Sequence, residues 1–245
     1  MEHTQGNSKG LVSIIIPRHN EDLTKLLNFI NAGVYKNIEI IVVDKGLERS
    51  AQRNIGIKKA NGKYIMILDA DQYPHPQLIK ECVNLMMMGF EALYIPEKII
   101  TPGLFGKIRN WERQFYTSTP IDCVRFALNP CPLFDEGMTG PEDADWDRRV
   151  SNRRATTDHC FYHFDKVGLW SYFRKKAYYA KSMKLFHVKH PNDKVLNWKW
   201  RCFSVFLENG KWREFIRKPH YALAVLLIIF IRGFIYAWSK KSKKN

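Results

Sequence analysis

The chain lacks the marks of a disulfide-held or zinc-held protein. Its five cysteines (Cys82, Cys123, Cys131, Cys160 and Cys202) are odd in number and form no Cys-X-X-Cys pair. That points to a reduced, cytosol-facing protein without disulfides or structural zinc. No apolar leader opens the sequence: residues 1–10 are polar and read as a flexible N-terminus without a signal peptide. No internal repeat occurs, and low complexity is confined to the last seven residues. Acids are scarce towards the C-terminus. Residues 166–245 hold 19 Lys+Arg against three acids, whereas the remainder is near neutral, with 20 basic and 21 acidic residues. The net charge of +15 therefore sits in a basic tail, which suggests a polyanionic partner.

At 245 residues and 45% hydrophobic, the chain is long enough for one sizeable domain and is not disordered. Apolar runs at 11–16, 38–43, 64–68 and 92–95 read as buried strands. Between them, 21–32, 50–60 and 76–88 have helical character, and Gly62 and Gly89 act as stop signals. Strands alternating with helices predict an α/β fold with a mostly parallel sheet covered on both faces. Beyond Pro96 the pattern predicts helices at 104–117 and 142–154, a strand at 121–128, a loop at 130–141 and an edge strand at 158–164.

Asp69-Ala70-Asp71 directly follows the third predicted strand. Open α/β sheets place ligands at such strand ends. Two hard oxygen donors one residue apart suit Mg²⁺ or Mn²⁺, which in turn can hold a diphosphate. Asp44 ends the second strand, where it can either accept hydrogen bonds from a base or ribose or cap a turn. Glu142 and Asp143 open an acidic helix. One carboxylate of such a pair can take a proton from an attacking hydroxyl.

Taken in order, Pro17-Arg18-His19-Asn20-Glu21, Ile41-Val42-Val43-Asp44, Arg53-Asn54, Gly62-Lys63-Tyr64-Ile65 with Leu68-Asp69-Ala70-Asp71, and Gly140-Pro141-Glu142-Asp143 resemble family 2 glycosyltransferases. The resemblance covers roughly residues 11–190. It implies a GT-A fold, an inverting mechanism and a nucleotide-diphosphate-sugar donor. It implies a donor site at Pro17, Asn20, Glu21, Asp44, Arg53, Asn54 and Asp69. It assigns a metal to Asp71 and Asp69 with His163, and the base to Asp143 supported by Glu142. Arg125 and Trp146 are candidate acceptor contacts or else structural residues. Lys176 and Tyr179, also candidate acceptor contacts, lie in a Lys/Tyr-rich run. That run could face a pyrophosphate on the donor or on a lipid-linked acceptor, or else form an ordinary basic helix. Two positions depart from the family pattern. Lys45-Gly46 follows Asp44 where members carry a second acid and Gly-Ser, and Arg18 stands where a small residue is usual. Further stretches (48–54, 95–97, 112–116, 175–181 and 189–191) are similar to a membrane-associated prokaryotic subgroup.

Residues 221–238 form an apolar run of about 27 Å as a helix, marginal for a bilayer core of roughly 30 Å and interrupted by Arg232. Aromatics mixed with Lys and Arg from Trp198 to Phe215 suit an interface with anionic lipid. The expected organisation is a glycosyltransferase domain over 11–192 and membrane-anchoring helices over 193–245, at the cytoplasmic face of the cell membrane. The expected reaction moves a sugar to a hydroxyl acceptor, such as a lipid-linked saccharide or glycan. Oligomers are compatible with this reading, and no nucleic-acid partner is expected. The alternatives are a polyprenyl-phosphate glycosyltransferase and, more remotely, a non-catalytic membrane or nucleic-acid binding protein.

Overall fold

Strand β1 (Val12–Pro17) has six consecutive buried residues, so it must be covered on both faces. Side chains alternate across a strand. Ile14 and Ile16 join a core with Leu26, Ile30, Leu78, Cys82 and Phe126. Ile15 points the other way, into a core with Ile57, Ile65, Ile67, Phe134 and Trp146. Each such burial stabilises by roughly 1.5–3 kcal/mol.

The computed structural model describes residues 10–46, 48–164 and 168–241, without the side chains of 181 and 236–241. The expected loose N-terminus (1–9), Leu47, Asp165 and the last basic residues (242–245) lie outside the described residues. The chain divides into two units interleaved along it. The first takes the described residues up to Lys98, then Cys123–Gly137 and Glu142–His163. The second takes Ile99–Asp122, Met138–Pro141 and the described residues from Phe164 onward.

In the first unit, the elements run β1, α1 (Thr24–Ala32), β2 (Ile38–Val43), α2 (Arg49–Lys59), β3 (Tyr64–Ile67), β4 (Gln72–Pro74), α3 (Leu78–Met87), β5 (Ala92–Tyr94) and β6 (Glu97–Ile99). Strand β6 ends one residue past the unit boundary. After the second unit's α4 (Gly103–Arg113) come β7 (Val124–Leu128), α5 (Glu142–Arg149), β8 (Arg154–Thr156) and β9 (Phe161–His163). The main sheet has the order β2-β1-β3-β7-β5-β8, and only β7 runs antiparallel to its neighbours. The expected mostly parallel α/β sheet is present. Helix α2 lies close against β1: a Cβ on Gly56 would come 2.3 Å from Ile15 Cγ2, so the contact requires glycine. Gly89, at φ +97°, ends α3 as the sequence predicted.

Three expectations change. Helix α5 stops at Arg149, five residues early, because 154–156 pair in parallel with β5 as strand β8. The expected edge strand at 158–164 is β9, the centre of a small sheet β4-β9-β6. Strands β4 and β6 were not foreseen: three residues are too short for a period, and both adjoin prolines.

The second unit is helical: α4, then α6 (Leu169–Tyr179), α7 (Met183–Lys189), the short α8 (Val205–Leu207), α9 (Trp212–Arg217) and α10 (Pro219–Lys241). Trp111, Phe115, Phe206 and Phe215 stack edge-on or tilted at centroid distances of 4.8–5.3 Å. The apolar run is one helix, α10, with Pro219 at its first position. Ala222, Val225 and Ile228 form its buried face. Among the described residues no helix is long and apolar enough to cross a membrane.

Arg232 of α10 turns to the buried Glu112 of α4, which also pairs with Arg109 and accepts from Tyr116 Oη at 2.6 Å. Burial alone would raise the Glu112 carboxyl, but Arg232 and Arg109 outweigh it and hold it at about 2. The folded value lies below the ordinary 4.5. This contribution to stability is therefore complete above pH 4.5 and is lost as pH falls towards 2. Glu112→Gln is expected to lower stability by about 3–5 kcal/mol at neutral pH, because buried arginines lose their partner. The same variant should show a shallower loss of urea stability below pH 4.5 than the parent.

Candidate active site

Leu68 continues the β1–β3 pairing through its N–H to Ile15 O at 3.0 Å. The chain then leaves the sheet as Asp69-Ala70-Asp71 and re-enters as β4. Gln72, 2% exposed, shapes this exit. Its side-chain oxygen accepts from Asp69 N–H at 3.1 Å, and its amide donates to Glu97 Oε1 at 3.0 Å.

Asp69 faces α2. Arg53, fully buried, lies beneath it and gives Nη2 to Asp69 Oδ1 at 2.9 Å. Its Nη1 pairs with Asp143 Oδ1 at the start of α5. Arg125 of β7 faces the same two acids, at 3.8 Å from Asp69 and 3.4 Å from Asp143. Arg49 adds a third guanidinium 3.8 Å from Asp69. Two carboxylates and three arginines thus form one cluster with an excess of positive charge. Burial would raise Asp69, but Arg53, Arg125 and Arg49 hold it well below the carboxylate range. Burial opposes the same arginines at Asp143, whose carboxyl also falls below its ordinary value. Its side chain remains 26% exposed, so a substrate can reach an ionised oxygen. Glu142 beside it is buried, and burial with the Asp143 charge pushes its carboxyl up.

Asp71 looks outward. Its Oδ2 lies 3.1 Å from His163 Nε2, across the Gln72–His163 register of β4 and β9. His163 Nδ1 lies 2.6 Å from Glu97 Oε1. Burial would lower the His163 imidazole, but hydrogen bonds to Asp71 and Glu97 push it up to about 10. Once a bound cation displaces the proton on Nε2, this donor set fits Mn²⁺ or Mg²⁺. A carboxylate behind Nδ1 is the usual support of a metal-binding histidine and leaves Nε2 to the metal beside Asp71. Among the described residues no three or more His, Cys, Asp or Glu groups form a ready-made metal cage. Two protein donors nevertheless suit a cation that keeps waters and binds phosphate oxygens. Asp69, also expected as a ligand, pairs with Arg53 at 2.9 Å and faces Arg49 and Arg125 at 3.8 Å.

The remaining candidates are dispersed. Asp44 is exposed and pairs with Arg18 at 3.6 Å, so the unusual residue after Pro17 answers the strand-end acid. Glu21 Oε2 accepts from the N–H groups of His19 and Asn20 at 2.7 and 3.2 Å, shaping the loop after β1. Asn54 ties Phe134 and Glu136 together through its amide and does not face outward. Trp146 is corrected from an acceptor contact to a core residue: it is 1% exposed, stacks on Phe134 at 4.8 Å and donates to Pro132 O. Lys176 and Tyr179 belong to the second unit. Sequence reasoning gave no role to Gln72, Glu97 or Arg49. The only signal for Glu97 was its place in the Ile95-Pro96-Glu97 stretch.

A family model described as "Glycosyl transferase family 2" matches residues 45–120, which include Arg53, Asp69 and Asp71. No curated protein matches the chain significantly. Among solved structures, the fold is similar to a mannosyltransferase, PcManGT, from Pyrobaculum calidifontis in complex with GDP-Man and Mn²⁺. The TM-score is 0.56 at 14% identity, covering 94% of this chain and 83% of that one. It is also similar to S. aureus TarS 1–349 in complex with UDP-GlcNAc, with TM-score 0.52 at 17% identity, covering 75% and 67%. At such identities the likeness is one of fold.

Proposed function

We propose that this chain, a family 2 glycosyltransferase of GT-A fold, moves a sugar from a nucleotide-diphosphate donor to a hydroxyl acceptor with inversion. The observation that carries the reading is Arg53. One buried guanidinium ties the acid at the end of β3 to the acid at the start of α5. The donor-side and acceptor-side carboxylates are thereby held in one cluster.

In the proposed reaction Asp143 takes the proton of the acceptor hydroxyl as its oxygen attacks the anomeric carbon. The bond to the diphosphate breaks, and its electron pair leaves with the diphosphate oxygen. A single displacement inverts the anomeric centre. Arg53 and Arg125 keep Asp143 ionised and fixed. Glu142 supports it from the buried side. Asp71 and His163 would hold Mn²⁺ or Mg²⁺, and the bound cation would neutralise charge on the departing diphosphate. Pro17, Asn20, Glu21, Asp44 and Arg18 border the strand ends where the nucleoside would lie.

The exposed apolar side chains of α9 and α10, set among basic residues, support a place on an anionic membrane surface at the cytosolic face. A lipid-linked saccharide is the acceptor class consistent with that surface.

The reading is tested by a screen of nucleotide sugars for Mn²⁺-dependent transfer or hydrolysis. Asp71→Ala is expected to abolish the metal-dependent part of donor binding. Glu97→Gln, which touches neither donor nor acceptor in this scheme, is expected to weaken Mn²⁺ affinity about 10–100-fold by loosening His163. Unchanged donor binding in Asp71→Ala would sink the metal assignment.

A further inference from the structure

Tyr172 of α6 is a ring with three cations around it. Arg109 of α4 lies 4.6 Å from its centroid, Lys176 one turn along α6 at 5.5 Å, and Arg232 of α10 at 5.9 Å. One carboxylate, Glu112, pairs with the two arginines. Its Oε1 takes Arg232 and Tyr116, and its Oε2 takes Arg109. No described carboxylate pairs with Lys176. Burial, followed by the charges of Arg109, Arg232 and Arg201, pushes its ammonium down to about 7. Buried charge is ordinarily paired, so an excess of cations points to a missing anion.

A second observation is independent of charge. The Tyr172 hydroxyl is buried and has no hydrogen-bond partner. Buried tyrosine hydroxyls normally have one. The cluster is still reachable, since Arg109 and Arg232 keep 17% and 20% of their side chains exposed.

We propose that Arg109, Lys176, Arg232 and Tyr172 form a binding site for a phosphoryl group. Two guanidiniums, an ammonium and a hydroxyl are strong donors for phosphate oxygens. This also accounts for Arg232 in an otherwise apolar helix. Leu223, Leu227, Phe230 and Phe234 form an exposed apolar stripe on α10. A phosphorylated lipid would satisfy both features, and a free phosphate or diphosphate would satisfy the first.

The test uses the full chain in EDTA, so that no metal assists anion binding elsewhere. Inorganic pyrophosphate is titrated while Tm is followed. Co-sedimentation is measured with vesicles of phosphatidylcholine alone and with added phosphatidic acid. Lys176→Met removes the cation that lacks a carboxylate and leaves the Glu112 pairs intact, so it should fold. Tyr172→Phe removes only the orphan hydroxyl. Pyrophosphate is expected to raise the Tm of the parent, and Lys176→Met to weaken that response about tenfold or more. Phosphatidic acid binding that falls in parallel identifies a lipid headgroup as the source. Vesicle binding that is unaffected identifies a soluble phosphate. A pyrophosphate response equal in the parent and both variants, or none in the parent with either probe, overturns the site. Asp71→Ala is expected to abolish transfer yet keep the pyrophosphate response, so the two readings fail separately.

Discussion

Asp143→Asn is expected to lower turnover about 10²–10⁴-fold, the range general-base catalysis supplies. The donor KM should stay close to that of the parent. The substitution keeps the shape of the side chain and removes its charge. Arg53 retains Asp69 at 2.9 Å, and Arg125 still faces that same acid, so the fold should survive with a modest fall in Tm. Single-turnover transfer with a saturating donor separates the chemical step from binding. A phosphate acceptor is already an anion and needs no base. Near-normal turnover in Asp143→Asn would therefore exclude the hydroxyl-acceptor mechanism and favour a polyprenyl-phosphate acceptor. Glu142→Gln offers a contrast. Its side chain is buried beside Asp143 and takes no proton from the acceptor in the proposed reaction, so a milder fall in turnover is expected.

Arg53→Met is expected to cost about 3–5 kcal/mol of stability, because it leaves two carboxylates facing each other with only the outer arginines to answer them. Methionine fills much of the space, so the loss reports charge more than volume. Urea denaturation at neutral pH measures it. In Arg53→Met with Asp143→Asn the cost should be well below the sum of the single effects, because one of the stranded charges is gone. A loss under about 1 kcal/mol in Arg53→Met would show that the cluster does not depend on this guanidinium.

These two residues mark the limit of what could be read in advance. Asp143 stood out because Glu142-Asp143, at the start of a helix downstream of Asp69-Ala70-Asp71, resembles the acid pair of family 2 glycosyltransferases. Arg53 was legible only as a donor-side residue. Its role comes from lying 16 residues from one partner and 90 from the other, a separation no local pattern records. His163 was a candidate ligand, but the carboxylate that supports it, Glu97, lies on a three-residue strand with no periodic signal. Trp146 could be read either as an acceptor contact or as a structural residue, and its packing on Phe134 shows it to be core.

Local chemistry settled β1, β2, β3 and β5, the stop at Gly89, the basic bias of the last third and the acids at strand and helix ends. Continuous apolar runs can be satisfied only by burial on both faces, and left-handed backbone positions favour glycine. Tertiary structure decided the partners of the charged groups. Arg232 read as a costly charge inside an apolar run, and became half of a buried pair once α10 met α4. Asp69 read as a donor-site acid, and the fold gave it Arg53 as a partner. A charge has no period along the chain. Its cost and its function depend on which opposite charge the fold brings within about 4 Å, where the interaction becomes strong enough to decide the outcome.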